Sequence, residues 1–279
     1  MVSSKRVRVS LDVNDAVSWC VWPVAKEYYL YSNGEIRPDY GAGWKRTMDK
    51  PLFYSNLFKS FADLGARGDA LPGAAILQWV RKHGLLRFID PDGYGLALDN
   101  QAPITVDEFK EEARLAYEAL TLYGAIHRKD HDAIRVRLRR ERWDPPGRPG
   151  EGTSADVYLD GRPIPATIHA DGELSDDEAL GLAKVSLESL VQDRIKGVEW
   201  RLDRFSGHPR PQEVYRTRLV PRVPDLHRAI WFQLTLLMEG TRPVKFCEIC
   251  EGPMFRPRRD QMTCSARCRK AKSRRKESA

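Results

Sequence analysis

Cysteine is scarce in this chain of 279 residues, and four of its five copies fall within the 22 residues from Cys247 to Cys268. Cysteines so few and so clustered exclude the disulfide framework of a small secreted scaffold. The fifth, Cys20 in SWCVW, reads as a small buried hydrophobe. Long apolar runs are missing too: nothing approaches the roughly 18 residues of a spanning helix, and MVSSKRVRVSLDVND carries no apolar signal core. The expected location is the cytoplasm, without a membrane partner. No phosphate-cradling glycine loop, nucleophile elbow or metalloprotease helix occurs, so the chain is expected not to be an enzyme. Internal repeats and a regular β-α-β rhythm are also lacking, which argues against a solenoid and a doubly wound sheet.

What is there is the balance of an ordinary globular protein, 42% hydrophobic and 30% charged, long enough to bury a real core. The net charge of +7 is unevenly placed. From Thr241 onward lie 12 of the 46 Lys and Arg but only 4 of the 39 Asp and Glu, leaving 34 basic and 35 acidic residues before it. The whole excess is C-terminal, and a localised basic patch attracts polyanions as scattered charges do not.

Periodicity predicts an α+β body. KRVRVSLDV alternates Val7, Val9, Leu11 and Val13 with polar residues, the pattern of a strand with one buried face. Asn33-Gly34 and Asp160-Gly161 each mark a hairpin. Leu52, Phe53, Leu57, Phe58 and Phe61 suit an amphipathic helix, and Pro72 opens another that ends at Gly84. Thr105 with Glu108, and Ser175 with Glu178, are capping-box pairs that start long helices. AIRVRLRR predicts a strand through Ile134, Val136 and Leu138. Residues 144–154, with three prolines and three glycines, predict a loop or linker. A last helix over about 225–239 ends at Gly240. The expected organisation is a body over 1–240 and a small basic module over 241–279.

Chemistry concentrates in that module. Cys247-Glu-Ile-Cys250 and Cys264-Ser-Ala-Arg-Cys268 give four thiolates in two short-range pairs, as tetrahedral structural zinc sites do. The first pair suits a knuckle, with Gly252 giving a tight backbone and Phe246 and Phe255 as cover; the second suits a helix start, where peptide dipoles favour anionic sulfur. Four cysteine ligands leave no position for water, so the one Zn2+ expected here is structural. An iron–sulfur cluster or four reduced thiols are the alternatives.

The arrangement, with its basic tail CSARCRKAKSRRK, resembles the treble-clef zinc fingers that end many bacterial proteins. The preceding helix and the segments FADLGA and ILQWVRKHGLL also look like bacterial proteins related to the CGNR zinc-finger group. That group has Gly-Asn-Arg where this chain has Arg269-Lys270-Ala271. The resemblance implies a DNA-binding transcriptional regulator, and it alone favours DNA over RNA.

On a terminal helix with Cys264, Cys268 and Ala271 facing inward, Arg267, Arg269, Lys270, Lys272, Arg274 and Lys276 would project into solvent, placed to meet phosphates along the backbone or in the major groove, with Arg275 of the same basic run a further candidate contact. Arg256, Arg258 and Arg259 would add contacts from the loop before it. A solvated basic tail or a protein-docking module are the other readings of the same charges. In the body, His127 and His131 within HRKDHD have metal-ligand spacing but sit at a helix end without a third ligand. Arg135, Arg137 and Arg139 read as a charged strand face, and Trp19, Trp22, Tyr28 and Tyr29 as core or cross-strand aromatics. The body is expected to sense, to bind a partner or to form a homo-oligomer.

Overall fold

The structure is a computed structural model, and it describes residues 23–46, 57–86, 103–143, 152–159, 161–170, 174–204, 217–223, 225–240, 244–250, 253–255 and 260–277. The strand predicted over Lys5–Val13, with Cys20, Trp19 and Trp22, lies outside these residues. Among them are seven helices and a set of small sheets, a mixed α and β architecture. The chain divides into two compact units, one formed by residues 1–55, 77–104 and 196–229 and the other by 56–76, 105–195 and 230–279.

The first unit is built on short antiparallel ribbons. Strand β1 (Pro23–Ala25) pairs with β4 (Trp44–Arg46), and β2 (Tyr28–Leu30) with β3 (Glu35–Pro38), the hairpin expected around Asn33-Gly34, while β5 (Ile104–Thr105) is the third strand of the β2–β3 sheet. Gly34 takes φ 80° while the Asn33 carboxamide accepts the Glu35 amide at 3.1 Å, so glycine supplies the left-handed residue of the turn. Tyr28 is wholly buried, its hydroxyl accepting the Ala25 amide at 2.8 Å. Tyr29 points outward and donates to Glu27 at 2.8 Å, which raises its phenol pKa. A second ribbon joins β9 (Glu199–Arg204) to β10 (Thr217–Arg222).

The second unit carries the basic module. Helix α1 (Leu57–Gly65) buries Phe58, Phe61 and Ala62 against α3 (Val106–Arg128), with the Phe61 and Phe109 rings edge to face at 5.2 Å. The contact is close because Gly65 lacks a Cβ: one added there would lie 1.9 Å from the Ala113 carbonyl oxygen. Trp231 is buried on the same core and donates to Glu112 at 2.9 Å, while Gln233 accepts the Phe58 amide at 2.9 Å. Two helices contribute to both units, α2 (Gly73–His83) and α6 (Leu226–Met238). Both capping boxes form as expected, at Thr105–Glu108 on α3 and Ser175–Glu178 on α5 (Asp176–Arg194). Helix α5 covers an antiparallel sheet ordered β6 (Leu138–Trp143), β7 (Gly152–Leu159), β8 (Arg162–Ala170). Gly161 turns the β7–β8 hairpin at φ 72°.

Two predicted elements differ. Ile134 and Val136 are not in a strand: Lys129, at φ 54°, ends α3, and the Asp130 carboxylate accepts the Ala133 amide to start α4 (His131–Arg135). This local cap outcompetes the alternation, and it leaves Val136 79% exposed while Ile134 is buried. Gly152–Ser154, taken as part of a loop, pair with Glu141–Trp143 as the start of β7; ladder hydrogen bonds override the turn-forming composition there. The three arginines of the apparent charged face each have a local partner. Arg135 pairs with Asp176 at 2.7 Å, Arg137 with Glu118 at 3.1 Å, and Arg139 lies over the Tyr158 ring. Arg135 hydrogen bonding holds the Asp176 carboxyl below its usual range.

Replacing Gly65 by Ala forces backbone against backbone, and we expect a loss of about 2–3 kcal/mol, at the overpacking scale. Urea unfolding followed by circular dichroism measures it, with Gly181→Ala, whose Cβ meets nothing within 4 Å, as the control that leaves stability unchanged or slightly raised.

Candidate metal centre

The module begins as a hairpin. Strands β11 (Val244–Phe246) and β12 (Pro253–Phe255) pair antiparallel, and Cys247 and Cys250 stand in the turn that follows β11. Backbone amides of Cys250, Ile249 and Cys264 converge on the Cys247 sulfur, the last at 3.4 Å. The two halves of the site are tied by the Glu248 amide donating to the Met262 carbonyl at 3.1 Å. Beyond Cys264, Ser265 starts α7 (Ala266–Glu277): its hydroxyl accepts the Cys268 amide at 3.2 Å, and its carbonyl accepts the Arg269 amide. Cys268 therefore projects from the first helical turn, and Cys264 from the residue before the cap.

The four sulfurs lie within 4.8 Å of one another. Cys250 and Cys264 are 3.4 Å apart and Cys264 and Cys268 3.5 Å, well beyond a disulfide bond of about 2.05 Å. A tetrahedral ion with metal–sulfur bonds of about 2.3 Å sets its ligands about 3.8 Å apart; the two short pairs fall a few tenths of an ångström below that spacing, and at the 4.8 Å limit no pair exceeds it by more than about 1 Å. Cys247 and Cys268 are buried, Cys264 is half-buried and Cys250 is exposed. Burial pushes the Cys247 thiol up, but the converging amides and Cys250 outweigh it and bring it down to about 6. Cys264 is raised by burial, with hydrogen bonding to Cys268 and Cys247 adding to this against Cys250 and Ser265. Four thiols this close need a cation before all can ionise. The residues present thus fit a metal ion, and among the described residues they form the one cluster of three or more ligand-type side chains.

Among the described residues of the module, the buried apolar cluster is Cys247, Met254 and Cys268, with Ile249 and Cys264 partly packed on it. Met254 supplies the cover expected of Phe246, which turns instead onto the end of α3. Its ring lies 4.8 Å from His127 and 6.4 Å from Tyr123, with the Arg128 guanidinium 5.4 Å from its centroid. Gly124 makes room, since a Cβ there would come within 3.3 Å of Phe246. His127 is therefore a docking contact, while His131 lies 4.0 Å from Asp176, so the two histidines face different neighbours.

Arg267, Arg269, Lys270, Arg274 and Arg275 are exposed on α7. Lys272 is half-buried and forms an ion pair with Glu248, a partner that no spacing rule singles out. Ser265 is not among the residues singled out from the sequence, although serine is a favoured N-cap residue; Met254 and Glu248 carry no signal beyond their residue type. Lys276 belongs to the same helix; Arg256, Arg258, Arg259 and Gly252 lie outside the described residues. No family model, no curated protein and no solved structure matches this chain, so the likeness to the CGNR group rests on the quoted motif residues alone.

Cys250→Ser and Cys268→Ser are each expected to reduce tightly bound metal from one ion per chain to below a tenth, measured by native mass spectrometry. Phe246→Ala should keep the metal and release the module from α3, seen as faster hydrogen exchange of Val244–Cys250 amides by about tenfold or more, the factor for about 1.4 kcal/mol of lost packing.

Proposed function

We propose that the four cysteines hold one structural zinc ion in a treble-clef-like module, and that the zinc-anchored basic helix contacts nucleic acid, duplex DNA in particular. Transcriptional regulation in the cytoplasm is the use this implies, with residues 1–240 supplying sensing, partner binding or self-association. The observation that carries the reading is α7 itself. Seven of its twelve residues are Lys or Arg, and its first turn has no acidic side chain to balance the dipole. A helix of that length and charge is marginal in water. Four thiolates around a dication would place net negative charge at its N-terminus, which stabilises the helix while leaving the cations beyond it outward. Such a surface gains most from an extended polyanion, through release of counterions.

A second reading has its own support. Phe246 packs on His127 and Tyr123, so the module also serves as a cap on the end of α3, and its function would then be structural or protein-facing.

The two separate in one experiment: fluorescence anisotropy of labelled duplex DNA with the full chain, zinc-loaded and chelator-stripped, across a salt series. Binding only by the zinc-loaded chain, with log Kd varying with log salt at about 0.9 per phosphate neutralised, supports the first reading. Arg269→Glu/Lys270→Glu/Arg274→Glu/Arg275→Glu should then abolish binding with zinc retained. Absence of binding by a zinc-loaded wild-type chain contradicts it and leaves the structural cap.

A further inference from the structure

Resting on the nucleic-acid reading, the placement of charge around α7 carries it further, to how the helix meets its partner. At about 100° per residue, Cys268 and Ala271 mark the face turned to the metal, and the direction opposite falls on Ala266 and Ser273. Both are exposed and small. On one flank of that ridge stand Arg267, Lys270 and Arg274, which with Ala266 and Ala271 line an open groove. On the other stands Arg269, which with Lys272 and Ser273 lines a second groove against residues 260–263. The Glu248 ion pair holds Lys272 back toward the module, so among the side chains described on that flank Arg269 is the outer cation. Among the described elements, none packs extensively against this helix.

We propose that α7 inserts into the major groove of B-form duplex DNA, with the Ala266–Ser273 ridge toward the base edges and the two cationic flanks against opposite phosphate walls. A helix laid along one strand needs cations on one side only; here they stand on both, with the bulk removed from the leading edge. A helix is about 10–12 Å across with its side chains and the B-form major groove about 12 Å wide, so a small ridge governs how deep it enters. The A-form major groove is deep and too narrow for the same approach. The partner is therefore duplex DNA and not duplex RNA.

The test uses the full zinc-loaded chain and matched 20-base-pair DNA and RNA duplexes, with metal content confirmed for every variant. Ser273→Trp keeps all cations and enlarges the leading edge; it should weaken DNA binding at least tenfold. Arg267→Glu/Lys270→Glu/Arg274→Glu should lower the salt slope by about 3, and Arg269→Glu by about 1, on the scale of about one for each phosphate no longer neutralised. Duplex RNA should bind at least tenfold more weakly than DNA. Unchanged affinity for Ser273→Trp, a response confined to one flank, or equal binding of RNA would overturn groove insertion while leaving nucleic-acid contact standing. Absence of duplex binding by the wild-type chain would overturn both.

Discussion

Everything distinctive about the C-terminal module depends on the convergence of four sulfurs. Among the described residues its buried apolar cluster is Cys247, Met254 and Cys268, a small surface against the entropy of ordering a segment of this length. Metal ligation would supply what such a core lacks, on the scale of about 10–16 kcal/mol for structural zinc in small fingers. An ion held by the same sulfurs would join the turn after β11, which carries Cys247 and Cys250, to the first turn of α7, which carries Cys268, across two halves that the Glu248–Met262 hydrogen bond already ties. The converging amides that depress the Cys247 thiol to about 6 prepare one ligand as an anion near neutral pH.

From that anchor the module reaches in two directions. Phe246, adjacent to Cys247 in sequence, docks on the His127 and Tyr123 rings at the end of α3. Tyr123 in turn donates to the Leu237 carbonyl at 3.0 Å, tying the last turn of α6 to the same place. The helix that follows Cys268 leaves Arg267, Arg269, Lys270, Arg274 and Arg275 exposed.

Much of this was legible in the sequence where the governing physics is local. Cys-x-x-Cys with Cys-x-x-x-Cys is a distance constraint written in four residues, and the capping boxes at Thr105 and Ser175 fix helix starts through hydrogen bonds spanning three positions. Where tertiary context competes, local pattern falls short. Ile134 and Val136 alternate as a strand would, yet the Asp130 cap and the left-handed Lys129 set a helical turn. Gly152–Ser154 look like loop and pair as strand because Glu141–Trp143 offer a ladder. The cation set was visible, but its partners were not: Glu248 lies 24 positions from Lys272 and Asp176 41 positions from Arg135, separations no periodicity reveals. For Phe246 the residue type announced a contact with the site, and only the position of Gly124 shows that it turns toward α3.

X-ray absorption at the zinc K-edge, on the full chain purified without added metal chelator, most directly interrogates the four-sulfur centre. Four sulfur neighbours at about 2.3 Å, with no nitrogen or oxygen in the shell, are the expected result. A shell of nitrogen or oxygen ligands, fewer than four sulfurs, or a chain that folds α7 with no metal bound would contradict it.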